Sequence, residues 1–127
     1  MVTRTTTGPG GVDTLPPGTP GPEVISNPGE ITAVVPVMGS TAGAVKYPLT
    51  QPRGIAIDLP LASAGLPLGR HAMFNDGFRF VSIRPRVGGG IRVAFTYAYY
   101  TPRLLDVTVD EAAIRVRVAP PPRPATP

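Results

Sequence analysis

The sequence predicts an all-β fold: a compact antiparallel β-sandwich or small barrel of about six to eight short strands. Three observations predict it. From residue 30 onward, apolar and polar residues alternate with a period of two, and β-branched and aromatic residues are frequent. Glycine, proline, asparagine and aspartate separate these stretches at short intervals, as turns require. No stretch has the apolar periodicity of an amphipathic helix.

Proline and glycine divide the chain into three parts. Residues 1–29 contain six Pro, six Gly and six Thr, and residues 120–127 contain five Pro. Proline lacks a backbone donor and glycine loses the most entropy on ordering, so we expect neither segment to form a packed element. The sequence therefore predicts an extended arm over residues 1–29, a β domain over residues 30–119 and a Pro-rich tail over residues 120–127.

The first half of the domain contains three predicted strands. Residues 30–38 (EITAVVPVM) alternate and form the first strand, with Pro36 placing its end at a sheet edge or bulge. Residues 44–47 and 54–59 form the second and third strands. Residues 60–69 are rich in Pro, Gly and Ala and are expected to form a loop.

Turn chemistry predicts the register of three later hairpins. In the first, the turn of residues 75–77 ends in glycine and pairs Phe74 with Phe78. In the second, a turn of three glycines at residues 88–90 pairs Val87 with Ile91 and keeps the apolar residues on one face. The last hairpin joins residues 103–109 to residues 114–119. Its pairs are Val109 with Ile114, Val107 with Val116, Leu105 with Val118, and Arg117 with Asp106.

The triple-glycine hairpin carries a candidate partner-binding site formed by Arg84, Arg86 and Arg92. The predicted register places Arg86 directly opposite Arg92, and no acidic residue occurs between residues 77 and 105. Like charges opposite each other destabilise a sheet, so this uncompensated basic cluster predicts an anionic partner. It also predicts that replacing Arg92 leaves the stability unchanged or raises it slightly. The alternative is a solvated, charged hairpin tip.

The outward face of the same hairpin is partly apolar. Alternation places Phe78, Phe80 and Tyr100 on it, away from the basic tip. Such a face needs cover, either from a second sheet or from another subunit. These three residues are therefore the candidate oligomer interface. A domain of this size buries only roughly 60 to 65% of its unfolded surface, which favours a homo-oligomer.

Residues for catalysis or cofactor binding are lacking. His71 is the single histidine and there is no Cys, so a usual zinc site cannot form. The glycines of residues 88–90 lack the Lys and Ser/Thr of a phosphate-binding loop and lead into a strand. The carboxylates are few and scattered. We therefore expect no catalytic residue, no metal and no cofactor, and a protein that is not an enzyme.

Charge and hydropathy limit the partners. The 127 residues carry a formal net charge of +4, which gives nucleic acid weak support as a partner, because no nucleic-acid-binding motif accompanies it. No apolar run reaches the length of a membrane span, so we expect no membrane association. Neither a secretory nor a transit segment is recognisable at the N-terminus, which predicts synthesis in the cytoplasm.

The Pro/Gly/Thr-rich arm of residues 5–29, followed by a Cys-free β domain with hairpins over residues 70–119, resembles small accessory proteins of tailed-bacteriophage virions, in particular capsid decoration (cement) proteins. The resemblance rests on this architecture and on no motif. It implies an arm lying across neighbouring capsid subunits and a β domain that oligomerises above their junction.

The resemblance therefore implies a virion location after synthesis in the host cytoplasm, with the major capsid protein or other virion subunits as partners. Such an arm would bind by strand addition or in a groove. Two alternatives stay open. One is a head-to-tail connector or tail component, and the other is a cell-surface module that binds a glycan or another ligand.

Overall fold

The computed structural model describes residues 14–121, which form ten strands and no helix. Accordingly, no helix within these residues is long and apolar enough to cross a membrane. The strands are β1 (Glu23–Asn27), β2 (Glu30–Gly39), β3 (Val45–Thr50), β4 (Arg53–Leu59), β5 (Ala62–Ala64), β6 (Gly69–Ala72), β7 (Phe78–Pro85), β8 (Ile91–Tyr97), β9 (Arg103–Val109) and β10 (Ala113–Ala119).

The strands form two antiparallel sheets packed face to face, which confirms the predicted β-sandwich. The first sheet has the order β1-β2-β10-β9, and the short strand β5 pairs with the end of β2. The second sheet has the order β3-β4-β8-β7-β6. Strand β2 changes neighbour at Pro36, which is the last residue to pair with β10, and Val37 then pairs with Ala64 of β5. Proline suits such a position because it cannot donate to a continuing ladder.

Alternation along the strands builds the core between the sheets. Each strand directs every second side chain inward, so the β-branched residues predicted to face the core meet there. The fully buried members include Val35, Ile114, Val116 and Val118 of the first sheet and Ile57, Leu59, Val81, Ile83, Val93 and Phe95 of the second.

Two predicted hairpin registers are confirmed, apart from one local slip. In the hairpin of β6 and β7, His71 pairs with Val81 and Ala72 with Phe80, as the turn at residues 75–77 predicts. In the last hairpin Val109 pairs with Ile114 and Arg117 with Asp106. The predicted pair of Leu105 with Val118 is wrong. A β-bulge follows Arg117, so Val118 faces Leu104 instead.

Two strands lie where the sequence predicts none. Strand β1 falls within the segment expected to be an arm. It contains Val24 and Ile25 and pairs with the predicted first strand through a turn that ends at Gly29. Strand β5 falls within the predicted loop of residues 60–69. The folded region therefore begins before residue 30, and the sheets contain more strands than expected. Residues 1–13 of the predicted arm and residues 122–127 of the predicted tail lie outside the described part.

The loops gather at the two ends of the sandwich. At one end, the backbone N–H of Ala98 donates to the carbonyl of Gly77 at 2.9 Å, which joins the β6–β7 loop to the segment after β8. At the other end, Gly90 lies so close to the β4–β5 turn that an added Cβ would come 2.0 Å from the carbonyl oxygen of Leu59. The basic cluster lies towards this second end, and exposed aromatic residues lie at the first.

Candidate functional site

The structure brings Arg84 and Arg92 together but corrects the register between them. Arg84, not Arg86, pairs with Arg92 across β7 and β8, and Pro85 pairs with Ile91. Arg86 lies in the connecting loop, where its N–H donates to the carbonyl of Gly90 at 3.0 Å. Because Pro85 pairs with Ile91, the loop spans residues 86–90 and is longer than a three-residue turn, and its three glycines all have positive φ. The slip is two residues, which preserves the predicted faces.

The basic cluster is partly compensated by an acidic residue from another strand, so the expectation of a wholly uncompensated cluster is wrong. Asp58 of β4 pairs with Arg92. The Arg92 Nε donates to Asp58 Oδ1 at 2.8 Å and its terminal nitrogen to Oδ2 at 3.1 Å. The Arg86 Nε lies 3.5 Å from the same carboxylate. Tyr47 of β3 donates its hydroxyl to Oδ1 at 3.2 Å.

These contacts set the charge state of the cluster. The hydrogen bond from Arg92 holds the pKa of Asp58 below its usual value, although partial burial acts in the opposite direction. Burial and the nearby Asp58 carboxylate raise the pKa of the Tyr47 hydroxyl. The group is thus an ordered ion-pair network at neutral pH. Asp58 neutralises part of the positive charge that an anionic partner, including nucleic acid, would meet.

The last hairpin also has compensated charges, with partners that differ in part from those expected. Arg115 forms an ion pair with Asp110, which begins the turn of the same hairpin. Arg117 lies opposite Asp106, but its guanidinium is 3.5 Å from Glu30 of β2. The hairpin register alone could not show this contact, because Glu30 belongs to the next strand across the sheet.

The predicted oligomer interface does not exist as one surface. Phe78 is fully buried, with its ring centroid 5.9 Å from that of Phe95 in the core. A bulge between Phe78 and Phe80 breaks the alternation, so the two rings lie on opposite faces of the sheet. Phe80 is half-buried beneath the guanidinium of Arg70, 4.2 Å from its ring centroid. Tyr100 is exposed, as an interface residue would be in the free protein.

A different group of aromatic residues is exposed at the first end of the sandwich. Phe74, Tyr99 and Tyr100 have 84%, 80% and 81% of their surface accessible, and we call them the aromatic end. Strand β8 stops at Tyr97, so alternation does not direct the tyrosines that follow. The guanidinium of Arg79 lies 4.2 Å from the Tyr99 ring centroid. Aromatic and arginine side chains are typical of protein interfaces.

Phe74 has an unusual backbone conformation as well as an exposed ring. Its φ is 52°, in the left-handed region, where a residue other than glycine is disfavoured by about 1 kcal/mol. The turn after it is held by Asn75, whose Oδ1 accepts from the N–H groups of Gly77 at 2.8 Å and Phe78 at 2.7 Å. The left-handed residue is thus Phe74, before the turn, and not Gly77, where glycine would adopt this conformation without strain.

A cleft of about 590 Å³ adjoins the aromatic end, and we call it the arm cleft. One wall is formed by residues 14–19, 21, 22 and 24, which include three prolines, and the other by residues 71–74. Among residues 14–121, no Asp, Glu, Lys or Arg lines it. His71 is buried in it, with Nε2 donating to the carbonyl of Pro67 at 2.7 Å. A carbonyl can only accept, so this bond places a proton on Nε2.

Within residues 14–121, no group of three or more His, Cys, Asp and Glu side chains is arranged to hold a metal ion. Comparisons with protein families, with curated proteins and with solved structures found no match to this chain. The described residues offer three candidate surfaces: the basic cluster, the aromatic end and the arm cleft.

Proposed function

We propose that this protein is a non-enzymatic structural protein of a virion, a capsid decoration protein that attaches through its N-terminal arm and stabilises the shell. Its partners would be the major capsid protein or neighbouring virion subunits. The observation that carries the proposal is the way in which the described end of the arm binds a sheet edge.

Residues before β1 pair with the second sheet through their main chain. Thr14 forms a parallel bridge with Arg70 of β6, and the N–H of Leu15 donates to the Arg70 carbonyl at 2.8 Å. This is the geometry of strand addition, in which an extended segment gains its affinity from backbone hydrogen bonds. An exposed sheet edge on a neighbouring subunit would offer the arm the same donors and acceptors.

The ends of the sandwich supply further contact surface. The aromatic end exposes large apolar side chains whose burial would stabilise an assembly by about 1.5–3 kcal/mol each. At the opposite end Val87 is fully exposed and Leu61 is 64% exposed. Exposed apolar groups at both ends suit a subunit that contacts neighbours on more than one side.

The test is whether the arm attaches the protein to a particle. Capsid particles are purified on a density gradient from the cells that make the protein, and the protein is followed by immunoblotting. We expect it in the particle fraction. A variant that lacks residues 1–22 retains β1, so its sandwich should still give a cooperative β-type circular dichroism melt. The same variant should be absent from the particle fraction. Finding the intact protein only in the free fraction would refute the proposal.

A matched pair of point variants tests strand addition itself. Leu15→Pro removes the N–H that pairs with Arg70, whereas Leu15→Ala keeps it and shortens the side chain. If main-chain pairing is the mode of binding, the proline variant should lose occupancy on the particle and the alanine variant should largely retain it. Equal occupancy of the two variants would show that the main-chain pairing at Leu15, which the Arg70 carbonyl of the same chain satisfies, is not needed for attachment.

One observation favours a second function. Tyr99 and Tyr100 are adjacent and highly exposed, and such rings can stack on sugars in a cell-surface glycan-binding module. This function predicts a free protein that binds a glycan array saturably and loses binding when Tyr99 is replaced by Ala.

A connector or tail component would instead co-purify at a low, fixed number of copies per particle, unlike a decoration protein that covers the shell.

A further inference from the structure

The arm cleft and the aromatic end share a boundary at Phe74. This residue belongs to the lining of the cleft, yet 84% of its surface is accessible. Its ring is therefore presented at the rim and does not fill the cleft of its own chain. The left-handed backbone of Phe74 and the hydrogen bonds of Asn75 hold the turn that carries it.

The cleft is chemically suited to an aromatic ring. Pro16, Pro17 and Pro22 form much of one wall, and no charged side chain of the described part of the chain contributes to the lining. Proline-rich segments and aromatic side chains are complementary surfaces in protein recognition. A volume of about 590 Å³ lies within the range of protein ligand sites, about 300–1,000 Å³, and so has room for one aromatic side chain.

We propose that Phe74 of one copy inserts into the arm cleft of a second copy, and that the second copy returns the same contact, forming a two-fold symmetric dimer. Reciprocal insertion is geometrically natural because donor and acceptor surfaces lie on the same rim. In a two-fold interface, if one surface contacts another, the reverse contact also forms. Tyr99 would extend this contact, because its ring packs on Arg79, whose carbonyl accepts from the Phe74 N–H at 3.3 Å. The association would bury an apolar ring that the single chain exposes.

The proposed dimer can be tested with the purified full-length protein and no virion, so its outcome does not depend on the proposed virion function. Sedimentation equilibrium over a concentration series up to about 1 mM, near the affinity of a weak complex, measures the dissociation constant. The informative variant is Phe74→Gly, which removes the ring and suits the positive φ. We expect the dimer to weaken at least about a hundredfold while the isolated domain melts at the same temperature or higher. Val87→Ala, at the other end, is the control and should leave the dissociation constant unchanged.

A second variant blocks the cleft and retains the ring. A Cβ added at Gly21 would lie 3.5 Å from His71 Nδ1, an ordinary contact, so Gly21→Leu should fold while its side chain occupies the cleft. Alone, this variant should dimerise as poorly as Phe74→Gly. Mixed with Phe74→Gly, it should form a heterodimer tighter than either homodimer, because one ring and one open cleft remain.

Three results would overturn the proposal. The first is a wild-type protein that stays monomeric throughout the concentration series, and the second is an oligomer whose dissociation constant Phe74→Gly leaves unchanged. The third is a mixture of the two variants that associates no better than each variant alone. Circular dichroism of Gly21→Leu checks its fold, and Phe74→Gly tests the ring even if the leucine variant is unstable.

Discussion

The contact between Asp58 and Arg92 reverses the stability change expected for the basic cluster. If Arg86 and Arg92 only repelled each other, replacing Arg92 would be neutral or stabilising. Instead Arg92 donates two hydrogen bonds to a carboxylate whose side chain is only 13% exposed. Both Arg92→Thr and Asp58→Asn are therefore expected to lower the free energy of unfolding.

The magnitude follows from the geometry. Hydrogen bonds to charged groups contribute about 1.5–3 kcal/mol when buried, whereas exposed ion pairs contribute about 0–1 kcal/mol. Arg92 is 53% exposed, so the value for Asp58→Asn should lie between these ranges, at about 1.5 kcal/mol. For a domain of this size that corresponds to a fall in Tm of about 6–12 °C.

Thermal and urea unfolding at pH 7 measure the change, and Asp106→Asn is the control. Asp106 is exposed and accepts one hydrogen bond, from the Thr108 hydroxyl at 3.2 Å, so its replacement should change stability by less than about 0.5 kcal/mol. An Asp58→Asn variant as stable as the wild type would show that the network makes no net contribution to stability.

The pH dependence of this difference has a defined sign. The folded-state pKa of Asp58 is lowered, mainly by the hydrogen bond from Arg92. Its stabilising contribution is therefore complete above the unfolded value, about 3.9, and is lost as the pH falls through the folded-state pKa. The difference in free energy of unfolding between the wild type and Asp58→Asn should be constant from pH 7 to pH 5 and should decrease below about pH 4. A gap that stays constant below the folded-state pKa would contradict this assignment.

Three further predictions concern the loops and the aromatic residues. Gly90→Ala should lower the free energy of unfolding by more than about 2 kcal/mol, because the new Cβ would overlap a backbone carbonyl. Gly88→Ala has space around it and should lower it by only about 1 kcal/mol, so equal losses for the two variants would contradict the packing. Phe78→Ala should cost about 3–5 kcal/mol in urea unfolding and half-buried Phe80→Ala clearly less. Asn75→Ala should lower Tm through loss of about 1 kcal/mol, and an unchanged Tm would show that its turn forms without the side chain.

The parts of the fold predicted correctly are those that depend on neighbouring residues. In the β6–β7 hairpin, apolar alternation and the turn of residues 75–77 agree on one register, and the structure has it. The triple-glycine loop offers no such constraint, since three residues with positive φ can close loops of several lengths. The face parity limited the error to two residues, so the core positions of Val81, Ile83 and Val93 were still predicted correctly, whereas that of Phe78 was not.

The basic cluster could not be predicted from its own hairpin. Asp58 reaches Arg92 because β4 pairs with β8, a contact between strands that are not consecutive in the chain. Alternation places both residues on an outward face but does not state which strands are neighbours. The bulge beside Phe78 is a similar case, because one additional residue reverses the face of an aromatic side chain without any change in composition.

The central position of β2 in the first sheet has a consequence for folding kinetics. Strand β2 pairs with β1, which is close in sequence, and with β10, which joins only after the whole second sheet has been synthesised. Before β10 arrives, one edge of β2 exposes unpaired backbone groups beside Ile31, Ala33 and Val35, a stretch prone to pair with other chains. Such non-local pairing predicts slow folding, roughly milliseconds to seconds, and a dependence of refolding yield on protein concentration.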